Sequence, residues 1–239
     1  MIPPVEPLEK TARVSGMFSR IAGRYDLMNR LMSAGQDQAW RARMAFLAAP
    51  LPVDRALDVA TGTADSALAL LGRAKRVVGA DPSDGMLRLG AAKVAAAGAA
   101  GRIGLVAADA QWLPFGDAAF DCATVAFGIR NMADPGRAFA EMGRVVRPGG
   151  RVVCLEIMPP SNSLLGKGYD LYLTRLIPLV GGWISHQPDA YRYLSDSVLA
   201  FRTPEELRDL MTQAGLTQVT FRTLNVGTMA LHVGQVGGR

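Results

Sequence analysis

Apolar and polar positions follow two different rhythms along this chain. From Thr11 to Ser33 the residues Val14, Met17, Phe18, Ile21, Tyr25, Met28, Leu31 and Met32 recur at helical spacing, which predicts an amphipathic helix with Gly23 as a candidate break. A second helix is predicted over Gln36 to Ala48, with Trp40, Met44 and Leu47 on one side and Pro50 and Pro52 ending it. Residues 1–10 are Pro-rich and read as loose. Short apolar runs then take over at Arg55–Val59, Arg76–Ala80, Ile103–Ala107, Phe120–Phe127 and Arg151–Glu156. Helical stretches alternate with them at Ser66–Leu71, Met86–Ala97 and Pro135–Val146, and Pro148-Gly149-Gly150 reads as a tight turn into the fifth strand. This alternation predicts an α/β fold, a parallel doubly wound sheet with right-handed crossovers.

After the fifth strand the pattern turns helical again, over Leu164–Val180 and Pro188–Ala200 with Gly181-Gly182 between them. Thr203-Pro204-Glu205-Glu206 carries a capping-box signature that opens a further helix to Ala214, closed by Gly215. Leu216–Leu224 and Thr228–Val236 read as a terminal hairpin. The expected organisation is an N-terminal helical cap over residues 1–50 and a main domain over 51–239, with a helical insertion at 160–202. Both helical additions read either as plain core or as walls of an apolar substrate pocket.

Ligands of open parallel sheets bind outside the carboxyl ends of the strands. Ala60, Asp81, Asp109, Ala126–Asn131 and Glu156 fall at that edge. The organising stretch is Ala56–Asp81. Its turn Ala60-Thr61-Gly62-Thr63-Ala64 is built of small residues that allow close approach to backbone N–H groups, and Asp81 closes the next strand where a ribose diol is usually bound. A dinucleotide site wants three glycines, and here two are absent. Asp65 puts negative charge where a pyrophosphate would lie, and Asp58 adds another carboxylate, so the electrostatics favour a cationic cofactor, S-adenosyl-L-methionine, over NAD. The plainer alternative is that Asp58 and Asp65 cap the turn and the helix. Asp109, just past the third strand, is placed either to accept from an adenine amine or to form an ordinary Asx-turn.

The 239 residues, 49% hydrophobic and 20% charged, suit one sizeable core. No run long enough to cross a membrane is present, and the N-terminus lacks an apolar signal core, so a cytoplasmic protein is expected. Cys122 and Cys154 fall in strands and read as packing residues, and no metal site is expected. The net charge of +5 suits an anionic membrane surface or a generally basic proteome. Nucleic acid is not expected, because no Lys/Arg stripe with interleaved aromatics occurs.

The chain resembles the quinone-biosynthesis C-methyltransferases, the demethylmenaquinone and 2-polyprenyl-6-methoxy-benzoquinol methyltransferases. The resemblance rests on Met17 to Asn29, with its Arg24-Tyr25-Asp26-x-Met28-Asn29 core, on Leu57 to Thr63, on Ala126-Phe127-Gly128-Ile129-Arg130-Asn131, on Arg147 to Glu156, on Ala190 to Leu194 and on Ala230-Leu231-His232. It implies a class I S-adenosylmethionine-dependent methyltransferase fold, Rossmann-like, acting on a reduced polyprenyl quinol ring. It further implies a cofactor site at Asp58, Ala60, Gly62, Thr63, Asp81, Met86, Asp109, Ala110 and Ala126, and a group of Arg130, Asn131 and Tyr25 that positions the ring and helps remove its proton. Two positions depart from the family pattern. Ala64 replaces a glycine, which costs on the order of 1 kcal/mol if φ is positive there and little otherwise. Ala126 stands where some members carry Ser.

Arg130 cannot be a neutral base, so its expected role is to stabilise a phenolate, while Asn131 and Tyr25 orient the oxygens. An ion pair with Glu156 or Asp134 is the plainer reading of Arg130. The prenyl tail implies contact with the membrane surface through the helical cap and the Leu164–Val180 insertion, helped by Arg20, Arg24 and Arg30. A homodimer packing on the same helices is the alternative. Two rival functions remain beside C-methylation: a methyltransferase of another small acceptor, and a non-catalytic module of a biosynthetic complex.

Overall fold

A computed structural model describes residues 7–160, 164–171, 174–175 and 188–238. The elements in order are α1 (Pro7–Met32), α2 (Asp37–Ala48), β1 (Val53–Val59), α3 (Asp65–Leu70), β2 (Ala74–Asp81), α4 (Asp84–Ala96), β3 (Ile103–Ala107) and β4 (Phe120–Ala126). After a 3-10 turn at Ile129–Asn131 come α5 (Pro135–Val145), β5 (Val146–Ile157), α6 (Leu164–Leu171), α7 (Pro188–Leu199), α8 (Pro204–Gln213), β6 (Leu216–Leu224) and β7 (Met229–Val236). Residues 172–173 and 176–180 of the predicted Leu164–Val180 helix and the Gly181-Gly182 break lie outside the described residues, as do residues 1–6 and the side chains of Tyr25 and Tyr191.

The strands form one seven-stranded sheet in the order β3-β2-β1-β4-β5-β7-β6. Pairing is parallel from β3 to β5 and antiparallel where β7 inserts between β5 and β6. The order reverses between β1 and β4, so the ends of those two strands open the crevice where α/β sheets bind ligands.

Side chains alternate across the pleat and feed two core layers. Leu57, Val59, Ala123, Val125, Val152 and Cys154 face α5 and α8, where Phe139, Met142, Leu207 and Met211 are fully buried. Ala56, Cys122, Val153 and Leu155 face the other layer, with Met44 of α2, Leu70 of α3 and Val94 of α4. Both cysteines are free and buried, as packing residues should be.

Helix starts follow local chemistry. Ser83 Oγ accepts from Met86 N at α4, Asp134 caps α5, and Thr203 with Glu206 closes the capping box of α8. Two expectations are corrected. α1 runs unbroken through Gly23, because one exposed glycine costs only about 1 kcal/mol and tertiary bonds along the helix outweigh it. β5 begins at Val146, so Pro148-Gly149-Gly150 is a register shift inside the strand and not a turn before it. Glycine permits this: Gly149 has φ +77°, and a Cβ on Gly150 would stand 2.4 Å from the Asp121 carbonyl oxygen.

Candidate active site

The turn after β1 is wound tightly. Ala60, Gly62 and Ala64 have φ of +53°, +55° and +69°, and Phe127 after β4 has φ +60°. Left-handed backbone at non-glycine residues is costly, and it clusters here at the strand ends. Asp58 holds the turn from beneath. Thr61 Oγ1 donates to its Oδ2 at 2.6 Å and Thr124 Oγ1 to its Oδ1 at 2.7 Å. Burial pushes the Asp58 carboxyl up to about 6, against the two hydroxyl bonds and the Arg41 charge. Asp81 is bound on both oxygens by backbone, Gly62 N to Oδ2 at 2.9 Å and Ser83 N to Oδ1 at 2.8 Å. Burial pushes its carboxyl up to about 6 as well.

A cavity opens over these strand ends. Ala60, Gly62, Asp81 and Met86 line one side, and Asp109, Ala110, Ala126 and Asn131 the other. Its cover is α1, through Thr11, Val14, Ser15 and Phe18. Polar bonds fasten that cover: Thr11 Oγ1 donates to Asp109 Oδ2 (3.0 Å), Ser15 Oγ to the Pro82 carbonyl (3.0 Å), and Lys10 Nζ to the Met132 carbonyl (2.7 Å). Ser19 and Ser83 share a hydroxyl bond at 2.8 Å. Further along α1, Asp26 accepts from Thr63 Oγ1 (2.6 Å) and pairs with Lys93, which also pairs with Asp65. Two sequence-predicted cofactor residues therefore stand behind the turn: Asp58, 1% exposed, and Thr63, 3% exposed. Asp65 pairs with a lysine and does not cap α3 by its side chain.

A second, larger cavity adjoins the first. Met17, Ile21 and Met28 of α1, Trp40 of α2, Tyr169 of α6 and Tyr193 of α7 give it a mainly apolar wall. The cap and the insertion thus form walls of a pocket, one of their two expected roles. Phe18, Phe127 and Asn131 line both cavities, so the two meet at those side chains. Arg130 lines the larger one. Its side chain is buried and forms an ion pair with the wholly buried Glu156. Nη1 also donates to the Phe127 carbonyl at 3.0 Å, and Nε to Ser197 Oγ at 3.4 Å. Of the two carboxylates expected beside Arg130, Glu156 is the partner, and Asp134 caps α5. Asn131 Nδ2 donates to the Phe127 carbonyl at 3.4 Å, and Oδ1 has no hydrogen-bond partner among the described residues. Burial raises the Tyr193 hydroxyl above its ordinary range, against the Arg130 and Arg13 charges. The Tyr25 backbone is in α1, and its side chain is outside the described residues.

A family model described as the ubiE/COQ5 methyltransferase family matches residues 8–236. The chain belongs to this family. Within the ubiE/COQ5 relatives, it is 48% identical over 220 residues to the demethylmenaquinone methyltransferase of Thermus thermophilus, covering 91% of this chain and 99% of that one. It is 42% identical over 233 residues to the ubiquinone/menaquinone biosynthesis C-methyltransferase UbiE of Teredinibacter turnerae, covering 96% and 94%. A chain in the solved complex of the Haloferax volcanii Trm112 methyltransferase activator with a methyltransferase matches at TM-score 0.68 and 18% identity, over 92% of this chain and 98% of that one, which speaks for the fold.

The fold is a class I S-adenosylmethionine-dependent methyltransferase fold, and the cofactor is S-adenosyl-L-methionine. The first cavity fits it chemically. Asp81 and Asp109 present acceptors for hydroxyl and amine hydrogens, and a Cβ on Gly128 would stand 2.5 Å from Ala60 Cβ, so only glycine leaves the floor in place. Among the described residues no cluster of metal ligands occurs. Sequence reasoning missed the α1 fastenings, because Lys10, Thr11 and Lys93 carry no local motif and find their partners only through the fold. It gave no place in the site to Asn29, which lines the larger cavity and ends the Arg-Tyr-Asp-x-Met-Asn segment that carried the resemblance.

Proposed function

We propose that the chain methylates the naphthoquinol ring of demethylmenaquinol at carbon, with the ring in the larger cavity beside Asn131. C-methylation of a polyprenyl quinol follows from family membership. The naphthoquinol ring is supported by the 48% identity to the Thermus enzyme. The observation that carries the geometry is the meeting of the two cavities at Phe18, Phe127 and Asn131. The bound cofactor supplies a methyl group on a sulfonium. In this reading Asp81 takes the ribose hydroxyls, Asp109 and Ala110 the adenine end, and Ala60, Gly62, Met86 and Ala126 shape the floor. Asp58 and Thr63 act on the cofactor through the turn they brace.

A ring carbon becomes nucleophilic when its neighbouring oxygen loses a proton. Arg130 stabilises that oxyanion and stays charged at any working pH. Its pairing with Glu156 fixes the guanidinium, and this fixed geometry, with no reorganisation during the reaction, is what lowers the barrier. Asn131 and Tyr25 orient the ring oxygens.

The mainly apolar cavity holds the start of the prenyl tail, and the rest emerges toward a bilayer. No helix among the described residues is long and apolar enough to cross a membrane. We place the membrane contact on α1, where Leu27 and Leu31 are each 53% exposed near Arg24 and Arg30. Flotation with anionic liposomes tests this, and a stable homodimer burying both leucines is the competing outcome.

The deciding assay is transfer of label from S-adenosyl-L-methionine to reduced demethylmenaquinol and, in parallel, to a methoxy-benzoquinol. Faster turnover on the naphthoquinol is expected. Preference for the benzoquinol would reassign the ring, and product on neither would overturn the quinol assignment.

A further inference from the structure

C-methylation of a quinol needs a group that accepts the hydroxyl proton, and three described side chains near the ring site, Arg130, Glu156 and Tyr193, do not serve. Arg130 is permanently cationic. Glu156 is consumed by Arg130 and by the Ile157 amide, which donates to its Oε1 at 2.9 Å. The Tyr193 hydroxyl is held protonated by burial.

One carboxylate among the described residues lines the larger cavity: Asp37, at the first turn of α2 and 4% exposed. It has no cation within ion-pair distance among the described residues, and its one hydrogen bond comes from Ser33 Oγ at 3.2 Å. Ser33 is the first residue past α1, and its amide donates to the Asn29 carbonyl at 2.9 Å, so the last turn brings the two onto one face. Both line the same cavity, and Asn29 Nδ2 is buried without a hydrogen-bond partner among the described residues. Trp40, three residues after Asp37, lines this wall too, and Arg41, one turn after Asp37, stacks on the Phe127 ring at 5.1 Å. Phe127 is one of the side chains at which the two cavities meet. A buried carboxylate and a buried amide N–H, both short of partners among the described residues, therefore share the wall of a mainly apolar pocket that meets the cofactor cavity. Buried polar groups without partners are costly, and a ring hydroxyl satisfies both at once by donating to one and accepting from the other.

We propose that Asp37 is the proton acceptor of the methylation and that Asn29 donates to the same ring oxygen. The hydroxyl proton passes to the Asp37 carboxylate, and the O–H electron pair moves into the ring. The adjacent ring carbon bonds the methyl group, and the C–S bonding pair departs with sulfur. The hydrogen on that carbon then leaves as a proton to solvent, the ring becomes aromatic again, and protonated Asp37 returns its proton to the oxygen. The net products are the methylated quinol, the thioether cofactor product and one proton.

The proposal rests on the quinol reading of the site. Asp37→Asn keeps the shape of the side chain and removes its basicity. On demethylmenaquinol its kcat should fall about 100-fold or more, the usual yield of a general base, with cofactor affinity by calorimetry unchanged. On a ring-halogenated naphthoquinol whose hydroxyl is already ionised at the assay pH, the variant should come within about tenfold of the wild type on that same ring. Loss of less than about threefold on the natural ring, or equal loss on both rings, overturns the role, since a merely structural aspartate would not distinguish them. If Asp37→Asn does not fold, Asp37→Ser leaves room for formate. Turnover that rises with added formate is expected, and no response overturns the proposal. Failure of the wild type itself on every quinol would instead remove the reading beneath it.

Discussion

The Arg130–Glu156 pair separates stability from chemistry. Its side chains are 4% and 0% exposed, so neither charge has water to fall back on. Removing one partner of a buried pair leaves the other uncompensated and typically costs about 3–5 kcal/mol. Glu156→Gln keeps the acceptor for the Ile157 amide but strands the guanidinium, so the full range applies. For a chain of this size about 1 kcal/mol moves Tm by roughly 2–4 °C, which gives a drop of roughly 6–20 °C in a thermal melt. Adding Arg130→Met removes the stranded charge and should return most of that loss, to within about 2 kcal/mol of the wild type. The double variant should still bind S-adenosyl-L-methionine by calorimetry and turn over about 100-fold slower or worse, the usual loss for one oxyanion donor. If the double variant melts no higher than Glu156→Gln, the pair is not the source of the cost. If it turns over normally, Arg130 has no part in the chemistry.

Other outcomes follow from the same geometry. Gly128→Ala places its Cβ 2.5 Å from Ala60 Cβ, and overpacking of about 1–3 kcal/mol should weaken cofactor binding by roughly five- to 150-fold in a calorimetric titration. Asp58 and Asp81, both raised to about 6, bind their protons more tightly folded than unfolded, so stability of the cofactor-free protein should fall as pH rises from about 4 to about 6 and level off above. Cofactor hydroxyls need the ionised Asp81, so affinity should be level above pH 6 and weaken below it, and an affinity that rises on acidification refutes the role. Ala64→Gly relieves a left-handed alanine, worth about 1–2 kcal/mol, but gives up a buried methyl and adds chain entropy at similar cost. Its melting point and cofactor affinity should both match the wild type within about 1 kcal/mol of free energy, and a large gain would mean that this alanine impairs the site.

Near-neighbour rules made much of this protein legible in advance. The strand runs at Ile103–Ala107 and Leu216–Leu224, the Thr203–Glu206 capping box and the helix start at Pro135 depend on residues a few positions apart, and the structure places each of them where the pattern predicts. The small-residue turn and Asp81 marked a candidate ligand edge for the same reason, and a cavity opens there: a strand end and its turn are local objects. The family segments around Tyr25 and Arg130 supplied the reaction. What remained hidden was set by groups distant along the chain. Asp58 reads in the sequence as a carboxylate facing a cationic ligand, and only the fold shows it buried and bonded to the Thr61 and Thr124 hydroxyls. Arg130 had two candidate partners, and the β4–β5 pairing chose Glu156. The sign of φ at Ala64 depends on the winding of the whole turn. The cover that α1 makes over one cavity, and the place of Asp37 and Asn29 in the wall of the other, arise only when two helices at the start of the chain pack across strand ends formed later. Periodicity says which face of a helix is buried, but only packing says against what.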